Sequence, residues 1–239
     1  GGLEAVVIGA CLLLYGGCLS DYVMDRWMEL IPETIRSRYD LYNFNSAVEI
    51  LSQTHVNAFA EIMDTLDRFQ MELSDISEKG GNESNVPKKL SALLRPLGWN
   101  ETEIAGDLVV RLLEGKSRKA PSREFQLSDF ISGHKIDYVK GELAVDLEWN
   151  SKDQTFDRDL YAFRTFFECG VISCGVLITR SERLNTVFDF LGYEVKKKYG
   201  ASTTWMGKLL PRIHARRHGG CPLLVVGITP ETISDWKGE

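Results

Sequence analysis

The sequence predicts an α/β protein with one mixed central β-sheet flanked by helices, and three observations carry that expectation. Residues 135–150 read as a β-hairpin turning at Lys140-Gly141. After the turn Leu143, Val145, Leu147 and Trp149 point one way while Ala144, Asp146 and Glu148 point the other. Residues 171–179 and 222–228 are short, nearly continuous apolar runs, as expected of strands buried on both faces. Stretches of helical spacing separate these segments, and the order hairpin, helix, strand, helix, strand implies a mixed sheet covered by helices.

Upstream, residues 46–72 carry Val48, Ile50, Leu51, Val56, Phe59, Ile62, Met63, Leu66 and Phe69 at helical spacing, which predicts one or two amphipathic helices. Their acids Glu49 and Glu61 are expected on solvated faces. Residues 74–87 are polar, with Gly80-Gly81 and Pro87, and read as a loop. A helix over 88–94 ends near Pro96 and Gly98, and 101–114 reads as another helix or as helix and strand. Lys116, Arg118, Lys119 and Arg123 surround Pro121 as a basic loop. After the hairpin, 156–168 repeats Leu160, Phe163, Phe166 and Phe167 at helical spacing, with Thr155 or Asp157 as its cap. Residues 184–199 read as one further helix.

The hairpin is where chemistry enters. A two- or four-residue loop at Lys140-Gly141 is expected to set residue 137 opposite residue 144 and so to bring Asp137 onto the face of Asp146 and Glu148. A three-residue loop would send it to the other face. Carboxylates gathered this closely repel one another, which raises their pKa values or recruits a hard cation such as Mg2+. The alternative is that the acidic face is simply the wet face of a half-buried strand.

With 239 residues, 44% hydrophobic and 26% charged, the chain has the composition of a globular domain, and its net charge of -6 argues against indiscriminate nucleic-acid binding. Residues 29–239 are expected to form a single domain, with 1–28 as an N-terminal extension. The apolar run 3–19 has no preceding Lys or Arg and is short for a span. Ile8-Gly9-Ala10-Cys11 resembles a lipoprotein cleavage box but lies too near the start, so the first 20 or so residues are expected to be a fragment edge or an over-extended reading frame. Five scattered cysteines (Cys11, Cys18, Cys169, Cys174, Cys221) without a C-x-x-C pair read as reduced cytosolic thiols, and Cys169 and Cys174 as small buried hydrophobes. His55, His134, His214 and His218 have no zinc-ligand spacing, and no phosphate-binding glycine loop or dinucleotide fingerprint is present.

The segment 196–218 holds Lys196, Lys197, Lys198, Lys208, Arg212, Arg216 and Arg217 without an Asp or Glu. Its centre, 200–207, is rich in small hydroxyl residues suited to phosphate contacts.

Taken together, Ile136-Asp137-Tyr138-Val139 through Val145-Asp146-Leu147-Glu148-Trp149 resembles the PD-(D/E)xK nuclease motif as it occurs in type II restriction endonucleases of the BglII/BstYI group, with BamHI more distant. Segments 171–183, 42–66 (containing Ser46-Ala47-Val48-Glu49-Ile50-Leu51) and 222–230 resemble the same group in the expected order. The likeness extends loosely over 40–230 and well around the hairpin. It implies a restriction-endonuclease-like fold and a Mg2+-dependent deoxyribonuclease that cuts double-stranded DNA as a homodimer at a short palindrome, with a GATC-centred site, in the cytoplasm and without a membrane.

The resemblance makes Asp137, Asp146 and Glu148 catalytic and assigns the metal to Asp137, Asp146, Glu148 and the Leu147 carbonyl. The second acid is Asp where the group usually has Glu, and Glu148 stands where many relatives of the fold carry Lys. Lys116, Arg118, Lys119, Lys152, Lys197, Lys198, Lys208, Arg212, Arg216 and Arg217 are the expected DNA contacts. A nonspecific repair-type nuclease and a catalytically inactive DNA-binding or dimerisation protein of the same fold are the alternative readings.

Overall fold

The computed structural model describes residues 26–78, 84–115 and 120–238. Its centre is a six-stranded sheet built from β1 (Tyr39–Phe44), β2 (Asn100–Leu112), β3 (Arg123–Lys140), β4 (Leu143–Glu148), β5 (Cys174–Arg180) and β6 (Leu223–Ile228), in the order β1-β6-β5-β4-β3-β2. β4, β5 and β6 run parallel, whereas β1 joins β6, β3 joins β4 and β2 joins β3 antiparallel. The sheet is therefore mixed, as the sequence predicts. Every residue of β4, β5 and β6 is buried, which accounts for the continuous apolar runs.

Helices close both faces. Alternation along β4 sorts the packing: Leu143, Val145, Leu147 and Trp149 enter one core with α1 (Ala47–Thr54), α2 (Val56–Arg68) and α3 (Asn85–Leu94). Ala144 enters the other with Phe156, Leu160, Phe163 and Phe166 of α4 (Thr155–Glu168). α5 (Asn185–Leu191) and α6 (Tyr193–Lys198) join the first core, and α7 (Met206–His214) joins the second through Met206, Leu209 and Ile213.

Several local expectations are corrected. The stretch expected as helix, or helix and strand, over 101–114 is the strand β2. Exposure along it alternates with period two, with Ile104, Leu108 and Val110 on the more protected face, and Val109 interrupts the pattern in the sequence. The expected single helix over 184–199 is two, because Gly192 takes φ +95 and ψ -177 between α5 and α6. Part of the expected 74–87 loop is the short helix Leu73–Ser77, closed by a capping box in which the Glu72 amide donates to Asp75 Oδ2 at 2.8 Å. Neither Thr155 nor Asp157 caps α4: Gln154 occupies that position without a side-chain cap, and Asp157 is taken up by Arg212 and Arg217. Cys174 is buried as expected, as is Cys221, but Cys169, also expected to be buried, is exposed just past the end of α4. Residues 1–25, with Cys11 and Cys18, lie outside the described residues.

α4 sits close on β5. A Cβ added at Gly175 would run into the Phe163 ring and come within 3.1 Å of Leu223 Cδ1. Gly175→Ala is therefore expected to cost about 1–3 kcal/mol of overpacking and to lower Tm by roughly 3–10 °C in a thermal melt. An unchanged Tm would contradict this packing of helix on strand.

Candidate active site

The register of the hairpin places the acids. Lys140 pairs with Leu143 and Tyr138 with Val145, so the turn is the two residues Gly141-Glu142, with Gly141 at φ +56. Asp137 consequently stands beside Asp146, two residues further along β4 than the expected partner at 144. Its backbone N–H donates to Asp146 Oδ1 at 3.3 Å. The slip is by an even number of residues, so Asp137 keeps Asp146 as its neighbour at the acidic face, but it is not among the acids whose oxygens lie within 4.8 Å of one another.

That face is dry. Asp146 and Glu148 are only 6% and 7% exposed. They point into the side covered by α4, as their parity with Ala144 requires, so the reading of a merely solvated acidic face is overturned. A further carboxylate comes from the helix: Asp159, 3% exposed, offers an oxygen that lies with one each from Asp146 and Glu148 in a group no more than 4.8 Å across. Sequence reasoning missed it. The signal was present, since Asp159 occupies the stripe Phe156, Leu160, Phe163, Phe166 that α4 turns inward, where an acid has no reason to sit unless it is used.

The electrostatics are those of crowded, buried acids. Burial, reinforced by the charges of Asp159, Asp137 and Glu148, lifts Asp146 well above the usual carboxylate range. Burial likewise raises Asp137, against the lowering effect of a hydrogen bond with Asp146. Glu148 rises through burial despite hydrogen bonds with Ser151 and Asp159 and the nearby Arg158. Asp159 is pushed up to about 8 by burial and by Glu148, with Arg158 opposing. Arg158 donates from Nε and Nη2 to the same Asp159 oxygen, Oδ1, at 3.1 Å each, and its Nη2 lies 3.7 Å from Glu148 Oε1. Among the described residues no N–H or O–H donor of another group reaches the buried Glu148 Oε2 or Asp159 Oδ2, and the hydrogen bond between the two carboxyls needs a proton held between them. A hard divalent cation suits this all-oxygen donor set in place of that proton.

Asp146 and Glu148 lie toward the carboxyl end of β4, beside parallel β5, the end of the strands where ligands of open α/β sheets usually bind. The loop after β4 is tied there to residues 200–205. The Asp153 amide donates to the Ser202 carbonyl, Thr204 N–H to the Ser151 carbonyl, and Lys152 bridges to Thr203. Buried Arg180 at the end of β5 fixes the same loop through the Thr204 carbonyl and Thr203 Oγ1.

The expected DNA-contacting residues fall into separate places. Lys208, Arg212 and Arg217 come to the loop after β4 and the first turn of α4, where Asp153 and Asp157 pair with them, so the acids missing from their own segment are supplied from beside the site. Lys152 lies in that loop itself. Arg216 reaches Asn45. Lys198 turns away to the carbonyls of Ile76 and Glu78, and Lys197 is exposed on α6. Lys116, Arg118 and Lys119 lie outside the described residues. Leu147 sits between the two acids of β4 with its side chain in the opposite core.

Of the helical acids, Glu61 is not a free solvated group. It accepts from Trp99 Nε1 at 2.8 Å and from Lys140 Nζ at 2.6 Å, anchoring the hairpin turn. Glu49 accepts from Asn43. The histidines are scattered: His55 bonds Ser173 Oγ, His134 packs on Tyr161, and His214 and His218 lie near Phe44.

Among the described residues no helix is long and apolar enough to cross a membrane. No individual curated protein matches the chain by sequence. The family model described as restriction endonuclease BglII/BglIII matches residues 39–228, from the first residue of β1 to the last of β6, and so contains the whole sheet and all four acids. The chain belongs to that family and is a type II restriction endonuclease, a hydrolase of DNA.

Proposed function

We propose that the enzyme is a Mg2+-dependent, site-specific deoxyribonuclease that acts as a homodimer on a short palindromic site in double-stranded DNA, restricting foreign DNA in the cytoplasm. The observation that carries the reading is the dry carboxylate cluster at the carboxyl end of β4, two of whose oxygens no donor of another group reaches among the described residues. A two-fold protein matches a two-fold DNA site. The resemblance to the BglII/BstYI group alone supports a GATC-centred one.

In this reading Asp137 and Asp146, with the Leu147 carbonyl and Glu148, hold the ion. When bound, it supplies positive charge for the scissile phosphate and acidifies the attacking water. Glu148 orients that water and accepts its proton, a task suited to a carboxylate whose pKa burial has raised. Lys152, four residues on, contacts the phosphate. Lys208, Arg212, Arg216, Arg217 and Lys197 supply backbone contacts together with Lys116, Arg118 and Lys119, whereas Lys198 is held by the Ile76 and Glu78 carbonyls.

Incubation of the purified protein with unmethylated plasmid is expected to give discrete fragments with Mg2+ and none with EDTA. Asp146→Ala should lose at least about 10²–10³-fold in rate, by analogy with removal of other charge-stabilising groups. A uniform smear would favour the nonspecific nuclease, and intact DNA binding without cutting would favour the inactive fold.

The raised carboxylates also fix a stability profile. A folded-state pKa above the unfolded value means the native protein binds more protons, so stability is present below the unfolded pKa near 4 and is lost as pH rises through the folded value, about 8 for Asp159. In EDTA, Tm should fall by about 5 °C or more between pH 5 and pH 8, and saturating Mg2+ should remove most of that fall. An identical pH profile with and without Mg2+ would argue against cation binding at these acids.

A further inference from the structure

We propose that Asp159 is an additional carboxylate ligand of the metal centre, delivered by α4 and oriented by Arg158, and that it restores the reach lost where Asp146 stands in place of the longer Glu. This rests on the metal-dependent reading above and names a residue which that reading does not use.

Three features of the structure lead to Asp159. It lies in the inward stripe of α4 between Phe156 and Phe163 and is nearly fully buried, a position an apolar side chain would fill at lower cost. Its salt bridge is also not that of a structural pair. A guanidinium that merely neutralises a carboxylate commonly takes both oxygens in parallel, whereas Arg158 directs Nε and Nη2 onto Oδ1 alone. Among the described residues no donor of another group reaches the buried Oδ2 or Oε2 of Glu148, so the two carboxyls are joined only by a proton between them, which a cation would replace.

The third feature is distance. Carboxylate oxygens of Asp146, Glu148 and Asp159 lie within 4.8 Å of one another, so a small inward shift brings them to the roughly 4.2 Å that opposite ligands of one Mg2+ span. Asp146 is one methylene shorter than Glu, and a ligand from α4 supplies the missing reach from the other side. Arg158 is a positioning residue in this account: it stays largely in solvent and holds one oxygen so that the other faces the cluster.

The test is Mn2+ binding without DNA, read by electron paramagnetic resonance of the free ion, in the wild type, Asp159→Asn, Asp146→Asn and a same-helix control, Glu168→Gln, whose partner is Arg164 at the exposed end of α4. Metal-free melts and the Mn2+-induced rise in Tm are recorded for each. Asp159→Asn is expected to weaken Mn2+ binding by about 10–100-fold and to shrink the Mn2+-induced rise, while its metal-free Tm holds or increases because a crowded buried acid has gone. Glu168→Gln should bind as the wild type does.

Unchanged Mn2+ affinity in Asp159→Asn, with the wild type and Glu168→Gln binding normally, would overturn the assignment and leave the nuclease reading intact. A metal-free Asp159→Asn that melts lower or fails to fold would also overturn it, by showing that the carboxylate serves the fold. A wild type that binds no Mn2+ would instead remove the metal-dependent reading on which the assignment rests.

Discussion

The structure depends on holding acids together where water cannot separate them. At an effective dielectric of about 20, two unit charges about 5 Å apart repel by roughly 3 kcal/mol. Three such pairs among Asp146, Glu148 and Asp159 would approach the whole stability of an ordinary domain, about 5–15 kcal/mol. The cluster cannot persist fully ionised and bare. It either keeps protons, as the raised pKa values indicate, or takes up a cation. Arg158 supplies part of the compensation, but its side chain is mostly in solvent and it touches one edge of the group.

The fold is arranged so that this tension falls in one place. β4 is paired on both sides and covered on both faces, which fixes the direction of Asp146 and Glu148 and excludes water from them. A two-residue turn sets Asp137 beside Asp146, and Lys140 is locked at that turn by Glu61 and the Leu97 carbonyl. α4 then lays Asp159 across the strand. Beyond the strand ends, Arg180 and the 150–154 and 200–205 loops form one hydrogen-bonded unit beside the acids, so the surface next to the cluster is as firmly placed as the cluster itself.

Much of this was legible in the sequence. Strict alternation from Leu143 to Trp149 gave the two faces of β4 correctly, and the apolar runs gave β5 and β6, because burial on both faces leaves an unambiguous composition. β2 was harder to read: it is the edge strand of a long ribbon, and Val109 among alternating residues mimics helical spacing. The break at Gly192 hides in a segment whose composition is helical on either side. Asp159 was passed over because helical periodicity draws the eye to the phenylalanines, and only the packing of α4 on β4 shows that an acid shares their stripe. The basic run of 196–218 looked like a uniform phosphate surface, yet contacts distant in sequence divide it: Asp153 and Asp157 draw Lys208, Arg212 and Arg217 to the site, while Lys198 faces the other way.

The central claim is that the acids of the hairpin and helix α4 surround one divalent cation. The most direct measurement is a crystal structure grown with Mn2+ and read by its anomalous signal. The account expects a peak at the carboxyl end of β4, with oxygens of Asp146 and Glu148 about 2 Å away and Asp159 among the ligands. A strong peak elsewhere, or a cluster that keeps its protons and stays empty at saturating Mn2+ and pH 8, would contradict it.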